Sequence, residues 1–194
     1  QVWRGELSFN GVNHITEEVI IEPGTNLILG PNASIIFHKK VTAVGSKNQL
    51  IKFTKNKNEK PWGTIALQGK KASGSKFSHC LFSDGSGYKE DLFEYSGMFS
   101  AHNVDSLVID QCKFRNSHVV DDMMHVVYSD LEITNSEFTG ALSDALDIDL
   151  SHARIENSIF TDNGNDSIDL MTSDLILYNS YIKNSGDKAI SVGE

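Results

Sequence analysis

No stretch of this 194-residue chain approaches the roughly 18 consecutive apolar residues that a membrane-spanning helix needs. The longest apolar runs, Val19 to Ile21 and Leu27 to Leu29, are strand-length, so no membrane span is expected. Cysteine is scarce, with two residues in the chain. No secretory leader accompanies them, which leaves the redox state of Cys80 and Cys112 open. Gln1 reads as a mature start and the last residues carry no terminating pattern, so the expectation is a segment of a longer protein with fused or neighbouring domains. Basic charge is also short, at 17 Lys and Arg against 26 Asp and Glu, for a net charge of −9. The imbalance is local: residues 1–76 carry +6, whereas residues 77–194 hold 6 basic and 21 acidic side chains, or −15. Such a surface repels nucleic acid, which is not an expected partner. With 39% hydrophobic and 22% charged residues, the composition excludes a disordered or low-complexity chain and fits one soluble domain.

What is present is a period. Leu131 to Phe138, Ala153 to Phe160 and Leu175 to Ile182 begin 22 residues apart, Leu107 to Phe114 precedes them by 24, and Ser75 to Phe82 extends the series upstream of an insertion at residues 83–97. Within each unit apolar and polar residues alternate, as in Leu146, Ile148 and Leu150, which is the period of a strand and not of a helix. Short strands, turns rich in Asn, Gly, Ser and Asp, and no helical crossover predict an all-β, single-stranded right-handed parallel β-helix. It would have about eight coils and fill residues 1–194 as one domain. Columns of like residues, such as Ile109/Ile133/Ile155/Leu177, Phe114/Phe138/Phe160/Ile182 and Met124/Leu146/Ile168/Ile190, would stack as its core at about 4.8 Å. Asn135, Asn157 and Asn179 are expected to form a structural ladder at a tight turn, with side chains directed into the axis. Cys80 and Cys112 precede Ser136, Ser158 and Ser180 in one column and read as buried thiols. Ten lysines between Lys39 and Lys76 read as a solvated outer face.

Several segments carry a family likeness: Pro23-Gly24, Pro61-Trp62-Gly63, Ser96-Gly97-Met98-Phe99-Ser100-Ala101-His102-Asn103, Asp121-Asp122, Ser143-Asp144-Ala145-Leu146-Asp147-Ile148-Asp149, and Asp187-Lys188-Ala189-Ile190-Ser191-Val192-Gly193-Glu194. Through them the chain resembles the pectate-lyase-like right-handed β-helix superfamily. More narrowly, it resembles bacterial surface β-helix domains found beside spore-coat-H-like kinase domains. The resemblance implies a bacterial protein that is secreted or on the cell surface, with a polysaccharide or surface glycan as partner. It does not choose between catalysis and adhesion, because the superfamily contains lyases, hydrolases, epimerases and non-catalytic modules.

Aligning the coils on their apolar columns places Ser100, His125, Asp147, Asp169 and Ser191 in one outward column. His102, Val127, Asp149, Met171 and Gly193 form its neighbour, and Asp122, Asp144, Asp166 and Lys188 lie at the turn before it. Carboxylates stacked at strand spacing repel by roughly 3 kcal/mol per contact at an effective dielectric of 20. The expected relief is a hard cation such as calcium on Asp122, Asp144, Asp147, Asp166 and Asp169, protonation, or solvation. Asp144 and Asp166 also suit turns, whereas Asp147 and Asp169 are mid-strand, where Asp is disfavoured and calls for a reason. If the domain is an enzyme, Asp147, Asp169, His125 and Lys188 are its expected catalytic residues. His102, Asp149, Tyr88 and Tyr95 are the expected sugar-binding residues, although the insertion's aromatics serve equally as a cap over the coil. The remaining histidines, His14, His38, His79, His118 and His152, show no metal spacing. Arginine is too scarce in the acidic part for a full lyase constellation, so a polysaccharide-binding or spacer module is preferred over a hydrolase or a calcium-dependent lyase or epimerase.

Overall fold

The computed structural model describes residues 1–90, 93–118 and 122–193. Asp121 and Glu194, which contribute to the family likeness, fall outside them. Three parallel sheets of eight strands each run the length of the molecule, and every coil gives one strand to each. The first sheet runs from Val2–Trp3 to Asp174–Tyr178, the second from Glu6–Phe9 to Tyr181–Ser185, and the third from Val12–Ile15 to Ile190–Gly193. The winding is right-handed, the hand that the twist of parallel strands imposes on their connections. The only helix among the described residues is a single 3-10 turn, Lys70–Ala72.

The predicted columns exist. Ile109 pairs with Ile133, Ile133 with Ile155, and Ile155 with Leu177, while Met124 opposes Leu146 and Ile168 opposes Ile190. Phe114, Phe138 and Phe160 stand above one another at 4.7 and 4.8 Å between ring centroids and within 6° of parallel. The stack continues upstream through Phe82 and Phe53, at 4.7 and 4.5 Å. All five rings are fully buried, and the strand spacing alone sets their separation. Of the ten lysines from Lys39 to Lys76, all but Lys55 are exposed.

The corners differ from expectation in one respect. Asn135, Asn157 and Asn179 occupy the left-handed region, with φ of 51°, 50° and 47°, as do His79 and Gln111 before them. A left-handed residue turns its side chain away from the core, so Asn157 is exposed and its Oδ1 accepts from Asn179 Nδ2 (2.6 Å) on the outside of the coil. The inward ladder belongs instead to the next residue. Cys112 N–H donates to Ser136 Oγ, Ser136 N–H to Ser158 Oγ and Ser158 N–H to Ser180 Oγ, at 3.1 to 3.2 Å. A second serine ladder, through Ser129, Ser151 and Ser173, follows the corner after the third sheet. Cys80 and Cys112 are buried free thiols in the first of these columns.

The insertion folds as an antiparallel hairpin, Tyr88–Glu90 with Phe93–Tyr95. It lies across the outward face of the third sheet, where Tyr95 covers Ile36 and Ala66 with Tyr88 beside them. One wall is thereby raised on the outward face of that sheet.

Candidate functional site

Past that wall the outward face of the third sheet is mixed, with His125, Asp147, Asp149 and Asp169 set beside Val127 and Met171. Alternation buries Met124, Val126, Leu146 and Ile148 and turns His125, Asp147 and Asp149 outward. The sequence-derived columns are the observed ones: Ser100 pairs with His125, His125 with Asp147, Asp147 with Asp169 and Asp169 with Ser191. His102, Val127, Asp149, Met171 and Gly193 follow the same register.

His125 is the best-held member, with a side chain only 14% exposed. Ser96 Oγ donates to Asp122 Oδ2 (2.6 Å) and lies 2.8 Å from His125 Nδ1. A hydroxyl has one proton, so with that proton directed at the buried Asp122 the second contact requires Nδ1–H of His125 to donate to Ser96. The other nitrogen, Nε2, then faces two carboxylates, Asp149 Oδ2 at 3.4 Å and Asp147 Oδ2 at 3.7 Å. The Asp147 and Asp149 side chains are 21% and 27% exposed. Burial lowers the pKa of His125, an effect opposed by the hydrogen bond and charge of Asp149 and by the charge of Glu94. His102, whose ring stands edge-on to that of His125 at 5.4 Å, is pushed down to about 4 by burial and by His125. Asp147 is driven the other way, up to about 8, by burial and then by the charges of Asp122, Asp149, Asp169 and Asp144.

The remaining predicted residues separate by environment. Asp144 Oδ1 accepts from Asn165 Nδ2 (2.8 Å) and from the backbone N–H of Asp166 (2.7 Å), and Asp166 Oδ1 accepts the N–H of Lys188 (2.7 Å). These two carboxylates act as turn formers that link one coil to the next. Asp169 lies in the column, but its Oδ1 accepts from the N–H of Leu170 (3.0 Å). Lys188 donates to Asp187 (2.5 Å) and sits 3.9 Å from Asp166. Tyr95 is the cap rather than an open stacking face: it is 4% exposed, lies 4.9 Å from the His102 ring and donates to Gln68 Oε1 (2.9 Å). Tyr88 donates to Glu90 within the hairpin.

Two contributors escaped the sequence reading. Ser96, the pivot of the Asp122–His125 line, belongs to no repeating column because it sits on the return from the insertion. Its neighbour Gly97 was the available signal: a Cβ there would meet His125 N at 2.8 Å and Phe99 O at 2.5 Å, so only glycine lets this loop drop onto the sheet. Glu94, at the hairpin's end, adds its charge to the site. A groove of about 700 Å³ lies elsewhere, on the first sheet between Val108, Glu132, Arg154 and Ile176. We locate the candidate site by its converging groups and not by groove size.

Residues 124–194, which run from the third-sheet strand of the fifth coil to the end of the chain, match the family model described as right handed beta helix region. No curated protein and no solved structure matches the chain.

Proposed function

We propose that this chain is an extracellular module that holds a polysaccharide along the outward face of its third sheet. The β-helix fold suits a polysaccharide-related module in general. The observation that carries the finer reading is the register itself, which lines up His125, Asp147, Asp169 and Ser191 at strand spacing beside the hairpin wall. A row of acceptors and imidazoles at fixed intervals can grip successive hydroxyls of an extended polymer, and the solenoid keeps the row straight. The charge of −15 over residues 77–194 argues for a neutral or amino-sugar polymer and against a polyuronate.

A catalytic reading has one observation on its side: the Asp122–Ser96–His125 line orients an imidazole as a general base is oriented. One experiment addresses both. Wild type and Asp147→Asn/Asp149→Asn are titrated calorimetrically with neutral, amino-sugar and uronate polysaccharides, and the mixtures are assayed for new reducing ends and unsaturated products. Binding that falls about tenfold or more in the variant, with intact polymer, supports the module. Depolymerisation that the variant lacks makes it an enzyme, and no response to any polymer removes both readings.

A further inference from the structure

From the geometry of this corner we infer that His125 Nε2, Asp147 and Asp149 form a site for a divalent ion of the zinc class. One ligand atom from each of the three residues lies within 4.8 Å of the others. Ligands 2.0 to 2.1 Å from a tetrahedral zinc are separated by about 3.4 Å. The observed 3.4 and 3.7 Å from His125 Nε2 to Asp149 and Asp147 already match two of these edges, and the two carboxylates need only close on each other from within 4.8 Å. Two further features bear on it. The hydrogen bond of Nδ1 to Ser96, itself fixed by Asp122, turns Nε2 toward both carboxylates. It is also the outer-shell support that metal-bound histidines characteristically have.

The donor set selects the ion. Calcium takes six to eight oxygens, whereas one imidazole and two carboxylates suit zinc and leave a fourth position open on the groove. Asp144 and Asp166, the additional oxygens a calcium site would recruit, are engaged by backbone N–H groups. The open position would take a sugar hydroxyl. That last step rests on the polysaccharide reading, but the metal site does not.

The test uses chelator-stripped, tag-free protein in a His14→Ala/His38→Ala/His152→Ala background. This removes the exposed His14–His38 pair and the His152 that lies between Asp130 and Asp174. Zinc, cobalt and calcium are titrated calorimetrically, and cobalt is followed by its visible absorption. We expect one zinc per chain, a tetrahedral cobalt spectrum, loss of both in His125→Ala and in Asp149→Asn, and an affinity reduced about 10- to 100-fold in Ser96→Ala. Melting curves of the metal-free variants establish that each is folded. Zinc binding unchanged in folded His125→Ala, absence of zinc binding by the parent, or displacement of zinc by equimolar calcium overturns the inference. Polysaccharide binding by the stripped protein with no zinc affinity would sink this proposal alone. Zinc binding with no polysaccharide response would sink the other alone.

Discussion

At the scale of single residues, the interior and exterior of one strand give the sharpest contrast. Phe138 is fully buried between Phe114 and Phe160, so Phe138→Ala should cost about 3–5 kcal/mol in denaturant unfolding. Alternation alone predicts an idle outward neighbour in Glu137. Instead it pairs with Lys113 (2.8 Å) and Arg115 (3.2 Å) of the previous coil, and Glu137→Ala should cost about 0.5–1 kcal/mol, within the range of partly exposed ion pairs. Equal losses in the two variants would refute the register. Asp110 adds a pH dependence. Burial pushes its carboxyl up, but hydrogen bonds from Asn135, Thr134, Ser78 and Gln111 outweigh this and hold it below the usual range. A carboxyl lowered in the folded state contributes stability that is present above its unfolded pKa, about 3.9, and is lost as pH falls through the folded value. Asp110→Ala should therefore melt below the wild type at pH 6 and approach it at pH 2. A gap that is the same at both pH values would mean that the hydrogen bonds are not acting on the charged form.

At the scale of elements, the corners show what a sequence reveals and what it hides. The strands were legible because alternation is a direct projection of geometry: Asp147 and Asp149 had to share a face once Leu146 and Ile148 were assigned inward. The Asn column was legible as a turn, but its direction was not, since a left-handed φ reverses the side chain relative to the strand before it. The buried polar work therefore falls to serine. Ser158→Ala leaves the buried N–H of Ser136 without its acceptor and should cost about 1–3 kcal/mol. Asn157→Gly should cost far less, because glycine adopts a φ of 50° freely, while Asn157→Ala should fall between them through backbone strain. Thermal unfolding of the three variants tests the order. A Gly variant as damaged as the Ser158 variant would return the asparagine amide to a principal role. Ser96 could be tied to this face only through the hint of Gly97, because an insertion obeys no period and where its returning loop lands depends on tertiary contacts that the repeat does not encode.

At the scale of the whole molecule, the solenoid turns a one-dimensional charge gradient into a spatial one, because successive coils simply stack. The −15 of residues 77–194 is consequently concentrated around the later coils, which carry Asp147, Asp149 and Asp169, and the lysine-rich early coils lie toward the other end. Field effects of this kind act over a Debye length of about 10 Å at 0.1 M salt and about 3 Å at 1 M. If the face takes an amino-sugar polymer, its affinity should fall steeply between 20 mM and 500 mM salt. A neutral polymer held by hydroxyl contacts should respond little over the same range, and a polyuronate should bind weakly at low salt and improve as salt is added. Titrating one polymer of each charge at both salt concentrations, with and without Asp147→Asn/Asp149→Asn, distinguishes the cases. Tight polyuronate binding at low salt by metal-free protein would contradict the electrostatic argument outright. The same result only after zinc is restored would instead mean that the ion reverses the local field, because a bound divalent cation is the largest charge in such a corner.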